Sequence, residues 1–204
     1  IAVLVDRVRR RDDQDRQAFE QQRRQVADEL AGIGRLKGAV AAYAGAADSP
    51  YIRAVGALVL VAAVRRAREP GCKFDEMLVL EGKQGDDKST LLRRLAVNDD
   101  WFSDHLPFNA DVPRQIEALS GHWIVEAAEL TGMRKADVEG LKAFLSRQID
   151  KARMAYGRRT KVSPRQCVII GTTNAQKYLK DSTGNRRFWP VRCSRIDASA
   201  MERD

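Results

Sequence analysis

The chain is short of most features that would make its chemistry obvious. Its three cysteines, Cys72, Cys167 and Cys193, never fall at CxxC spacing, and only His105 and His122 could join them. That spacing excludes the usual ligand sets of structural zinc, and it fits thiols kept reduced in a cytoplasmic setting. No apolar run approaches the roughly 20 residues that span a bilayer, so no membrane segment is expected. The longest, Ala54 to Val64, leads straight into Arg65, Arg66 and Arg68 and reads as a buried helix. The first residues, Ile-Ala-Val-Leu-Val, carry no basic leader and no cleavage site, so no secretory signal is expected. No internal repeat is evident.

What is present fits one globular unit with a helical extension. A chain of 204 residues can bury a real core, and 44% hydrophobic with 31% charged residues is a globular balance. The net charge of +8 permits nucleic-acid binding without requiring it. Residues 1 to about 36 are dense in Arg, Asp, Gln and Glu, with sparse apolar positions such as Val5, Val8, Phe19, Val26 and Leu30. They read as one long, charged helix. Apolar density then rises from Leu36 to Ala67, where two helices are expected, the second starting at Ser49-Pro50. Glu69-Pro70-Gly71 breaks that pattern, so residues 1–70 read as a helical N-terminal region and 71–204 as the core that follows.

The richest stretch is Met77 to Leu92. An apolar strand runs into a glycine-bearing turn, and a helix then opens with Lys88-Ser89-Thr90. This is the layout of a phosphate-binding loop, G-x-x-x-x-G-K-[ST], with Gly82, Lys88 and Ser89 in place and Asp87 where the second glycine belongs. In such a loop the backbone N–H groups of a helix start cradle phosphate, the lysine reaches the β/γ-phosphates, and the hydroxyl binds Mg²⁺. The bland alternative is a surface strand-to-helix turn, where Gly, Asp and Ser are common.

Further on, a helix is expected over 88–96 with Leu91, Leu92 and Leu95 inward, a loop over 99–107, and a helix from Val112 to Leu119. His122 to Ala128 reads as an apolar strand that ends in acid, and Glu126 and Glu129 are placed to orient Mg²⁺ and polarise an attacking water. Helical periodicity runs from Lys135 to Asp150, followed by a basic, irregular stretch over 151–161. Gln166 to Asn174 is a third buried strand, with Asn174 either set to align water or contact a γ-phosphate or serving as the turn residue after the strand. Arg187 to Arg192 is the last strand candidate. Arg186 and Arg187 before it could reach a neighbouring subunit's nucleotide, or could simply flank a buried aromatic strand. Strands alternating with helices predict an α/β layered fold around a mostly parallel sheet. The densest basic run comprises Arg147, Lys151, Arg153, Arg158, Arg159, Lys161 and Arg165, interleaved with Tyr156. It can neutralise phosphates while the aromatic stacks on a base, although such runs are often only solvated faces.

Taken together, Glu69–Asp75, Leu78–Gly82, Gly121–Leu130, Leu141–Arg147, Gly171–Asn174 and Asp181–Val191 resemble, in order, the virulence-associated protein E family of phage and genomic-island proteins. Those are P-loop ATPases related to the superfamily-three, AAA+-like helicase domains of primase–helicases. The resemblance implies a three-layer P-loop NTPase sandwich and binding of ATP with Mg²⁺. Gly82, Gln84, Gly85, Lys88, Ser89 and Thr90 would hold nucleotide, and Ser89 with Glu126 would hold the metal. Glu126 and Glu129 match the acids, Asn174 the sensor asparagine, and Arg186 or Arg187 the arginine finger. Lys142 and Arg153 fall where relatives keep basic residues near nucleotide or DNA. By analogy the assembly is a homo-oligomeric ring, possibly a hexamer, acting on single-stranded DNA in phage or mobile-element replication. Asp87 departs from the family pattern and implies an alternative, a weak or dead ATPase kept as a DNA-binding or assembly scaffold. A small-molecule kinase has less support, because no substrate lid is visible.

Overall fold

The structure is a computed structural model that describes residues 42–128, 130, 133–154, 159–175, 178, 185–194 and 196. The predicted long helix over 1–36 lies outside these residues, as does most of the first of the two helices expected before Ala67.

Helix α1 (Pro50–Arg68) begins where the sequence marks it. Ser49 is the N-cap, its side chain accepting from the Ile52 N–H at 3.2 Å, and Pro50 fills a first-turn position whose missing donor costs nothing. The helix stops at Arg68, before Pro70. Strand β1 (Met77–Glu81) leads through the loop to α2 (Lys88–Leu95), then to the short edge strand β2 (Phe102–Ser103) and α3 (Val112–Leu119). Next come β3 (Ile124–Ala127), α4 (Lys135–Leu145), the hairpin β4 (Ile149–Arg153) and β5 (Thr160–Pro164), β6 (Val168–Thr173) and β7 (Phe188–Arg192).

Five strands pair in the order β2-β3-β6-β1-β7, every pairing parallel. Apolar side chains alternate between two cores. Leu78, Leu80, Ile124, Val168 and Ile170 face α1 and α2, while Met77, Val79, Val125 and Ile169 face α4 through Val138, Leu141, Phe144 and Leu145. The result is a three-layer α/β sandwich. Strand β1 sits between β6 and β7, although β2 and β3 follow it in sequence, so the strand order reverses beside it. In open α/β sheets the crevice beyond the strand ends at such a switch is where ligands bind.

Helix α1 shares the first core with the sheet, so packing does not separate residues 50–68 from the unit that follows. The Trp123 indole N–H donates to the Ala63 carbonyl at 2.8 Å, and buried Arg66 donates to the carbonyls of Cys72, Phe74 and Cys167. Burial lowers the Arg66 pKa, and those carbonyls satisfy the guanidinium.

Two expectations are corrected. The stretch expected as a loop contains β2, with Trp101 and Phe102 buried at its start. The helix expected to reach Asp150 ends at Leu145, and residues 149–153 instead pair antiparallel with 160–164, so much of the supposedly irregular basic stretch is a β-hairpin.

Candidate nucleotide site

The site is built at the carboxyl ends of β1, β3 and β6, on the face that carries α2. At residue 82 a Cβ would come within 2.9 Å of an Asp86 carboxylate oxygen, so a larger residue there would displace the Asp86 side chain from the Lys83 N–H. Gly85, at φ 85°, allows the turn in which the Asp86 N–H donates to the Lys83 carbonyl, and the Asp86 carboxylate accepts the Lys83 N–H at 2.6 Å. Asp87 then takes the left-handed conformation, φ 55° and ψ 28°, as the N-cap of α2. The missing glycine of the motif therefore falls at a position that needs positive φ. Aspartate is among the residues that tolerate this conformation best, which explains how the loop keeps its course.

The Asp87 side chain makes no capping hydrogen bond. The N–H groups of the first turn of α2 have no intrahelical partners by construction and open toward an anion. Lys88 is buried at 7% exposure, and its Nζ donates to the carbonyls of Gly82 at 3.0 Å and Lys83 at 2.6 Å. The third acceptor is Asn174 Oδ1 at 3.0 Å. The structure thus brings the P-loop lysine and the asparagine together across 86 residues of sequence.

Ser89 and Glu126 also meet. Glu126 is 1% exposed, inside β3 rather than after it, and its Oε1 accepts the Ser89 hydroxyl at 2.8 Å and the Thr172 hydroxyl at 2.6 Å. Its other oxygen, Oε2, is buried without a hydrogen-bond partner. A buried carboxylate oxygen left without a partner calls for a water or an ion, and a carboxylate beside a hydroxyl is the hard-oxygen pair that Mg²⁺ prefers. The residues present therefore fit the metal that the motif implies. Gln84, Gly85, Ser89, Thr90, Thr172 and Asn174 are among the residues lining the cleft, whose volume is about 330 Å³. Burial pushes the neighbouring Cys193 thiol up to about 12, so it stays protonated and unreactive beside the loop.

Other predicted residues sit elsewhere. Glu129 and Arg158 lie outside the described residues. Arg186 and Arg187 form a 3-10 turn just before β7, and Phe188 pairs with Met77 at the entry end of β1. They stand a five-residue strand, about 17 Å, from the loop at its exit end. They do not meet the site of their own chain.

Lys142 is 5% exposed and ion-paired with Glu139 at 2.8 Å. Arg147 lies over the Phe144 ring and contacts Asp150 at 3.3 Å. Arg165 is buried in a two-pronged bond to the same carboxylate. Lys151 and Arg153 share the exposed face of the hairpin with Ile149 and Val162, and Arg159 is exposed nearby. Lys161 alternates to the opposite face and is half-buried.

Sequence reasoning missed Thr172. The signal was available in Gly171-Thr-Thr-Asn174: with a period of two, residues 172 and 174 point to one face of the strand.

Among solved structures, the A form of the apo C-terminal region of NrS-1 is similar at 15% identity and a TM-score of 0.50. That match covers 84% of this chain and 38% of the other. An inhibitor-bound JCV helicase is similar at 17% identity and a TM-score of 0.47, covering 92% of this chain and 56% of its own. The chain thus spans well under two thirds of either. No curated protein matches. Matched over residues 23–204 by the model of the virulence-associated protein E-like domain, the chain belongs to that family.

Proposed function

We propose that the chain is the nucleotide-binding motor domain of a helicase-like ATPase that acts on DNA in phage or mobile-element replication. The observation that carries this reading is Glu126, a cleft-lining buried carboxylate that shares one oxygen with the P-loop Ser89 and keeps the other unpartnered. Lys88 and the first-turn amides of α2 bind the phosphates. Ser89 and Glu126 hold Mg²⁺, which when bound neutralises phosphate charge. Asn174 orients Lys88. Arg186 and Arg187, remote from the site of their own chain, are assigned to a neighbouring chain's nucleotide, with hydrolysis between subunits of a ring. The family match over residues 23–204 supports the reading, as does the fold shared with the NrS-1 C-terminal region.

The test is calorimetric titration with Mg-ATP. Lys88→Ala removes a charged donor worth about 1.5–3 kcal/mol, and affinity is expected to fall about 10- to 100-fold. Equal heats for parent and variant would remove the loop from nucleotide binding. The left-handed Asp87 favours a second reading, a weak P-loop scaffold. In Asp87→Gly the left-handed strain and one negative charge near phosphate both disappear, and affinity is expected to rise about tenfold. No gain would show that the aspartate does not limit the site.

DNA contact is proposed for the outer face of the hairpin, where Lys151 and Arg153 are flanked by exposed Ile149 and Val162. Charge reversal, Lys151→Glu with Arg153→Glu, is expected to weaken single-stranded DNA binding and to flatten its salt dependence, since about one counterion is released per neutralised phosphate. An unchanged salt slope would rule out this face.

A further inference from the structure

At the exit of β6, Thr172 within the strand and Asn174 just beyond it each grip one charged group of the site. Asn174 takes Lys88, and Thr172, two residues earlier, takes Glu126. Thr172 is 5% exposed, and its hydroxyl donates to Glu126 Oε1 at 2.6 Å, closer than Ser89 at 2.8 Å. The two donors differ in what they can do next. Ser89 stands in the first turn of α2 and is exposed to the cleft, where its oxygen is the one a metal would take. Thr172 is the penultimate residue of β6, in register with Leu80 of β1, so the sheet fixes its backbone.

From this geometry we propose that Thr172 is the positioning residue for the metal-facing carboxylate. Its hydroxyl anchors Oε1 against the sheet and leaves Oε2 as the oxygen free to take a metal. A carboxylate held at one oxygen offers a single, pre-aimed ligand. Freed from that bond, it is held only by the Ser89 hydroxyl and can rotate. Partners that orient metal-binding groups in this way typically change metal affinity 10- to 100-fold. The inference rests on the proposed nucleotide site and goes further by assigning a role to a residue outside its motifs.

The test uses the full chain with a non-hydrolysable ATP analogue, and follows Mn²⁺ binding by its electron paramagnetic resonance signal. In Thr172→Val, which keeps the shape and removes the hydroxyl, the Kd for Mn²⁺ is expected to rise at least tenfold. Affinity for the analogue without metal should stay within about twofold, because Lys88 and the loop amides are untouched. Thr172→Ser restores the donor and is expected to return the Mn²⁺ Kd to within about threefold of the parent. A merely structural threonine would lower the urea midpoint of both variants without changing Mn²⁺ affinity, and that result overturns the proposal. A parent chain that binds the analogue and Mn²⁺ normally, with Thr172→Val unchanged, overturns the role of Thr172 alone. A parent that binds neither overturns the site reading with it.

Discussion

Glu126→Gln is expected to lower Mg-ATP turnover about 10²- to 10⁴-fold, the range lost when a positioned carboxylate is removed from a proton-transfer step, while nucleotide binding changes only severalfold. The amide keeps the shape and accepts the Ser89 and Thr172 hydroxyls through its carbonyl oxygen. It places an uncharged NH₂ where Oε2 now lies buried and unpartnered. A group that repels a cation and takes no proton cannot replace that oxygen. Binding survives because Lys88 is held by Gly82, Lys83 and Asn174 and not by Glu126. Single-turnover hydrolysis beside a binding isotherm separates the two effects. A variant with parental turnover would remove Glu126 from the chemistry, whatever the rest of the site does.

Arg165→Met is expected to destabilise the fold by about 3–5 kcal/mol, read as a lower urea midpoint. Arg165 and Asp150 are 1% and 2% exposed at the side chain, joined by bonds of 2.7 and 3.0 Å. The Arg165 guanidinium also donates to the Phe144 carbonyl and lies 4.1 Å from the centroid of its ring. Methionine fills comparable volume, so the cost comes from leaving Asp150 buried with only the part-exposed Arg147 at 3.3 Å. The double variant Arg165→Met with Asp150→Leu should recover most of the loss, because a buried pair replaced entirely by apolar groups is often neutral. A single-variant loss below about 1 kcal/mol would show that this clamp at the base of the hairpin is not what holds it.

These two groups also mark where reading the sequence worked and where it stopped. The P-loop strand, the acid strand and Asn174 were legible because buried parallel strands are short apolar runs, and because their ends carry the residues that face a crevice. The left-handed turn at Asp87 was legible too, since the motif asks for glycine there. The hairpin was not. In Ile149-Asp-Lys-Ala-Arg153 the inward residues are Asp150 and Ala152, so a period-two pattern exists without an apolar face to announce it. Nor did the sequence show that Lys142 and Arg165 are buried against partners, Glu139 and Asp150, whose proximity depends on folding. Phe102–Ser103 is too short for any periodicity. The distance of Arg186 and Arg187 from the loop needed the register of β7 on β1, which no local pattern carries.

Hydrolysis shared between neighbouring chains is the central claim, and Mg-ATP turnover per chain over a protein concentration series, with and without single-stranded DNA, tests it most directly. Turnover per chain should be near zero when the protein is dilute, rise more steeply than linearly as chains assemble, and rise further with DNA. A rate per chain that is constant across the series would contradict delivery of Arg186 and Arg187 from a neighbour, and no turnover at any concentration would contradict the ATPase itself.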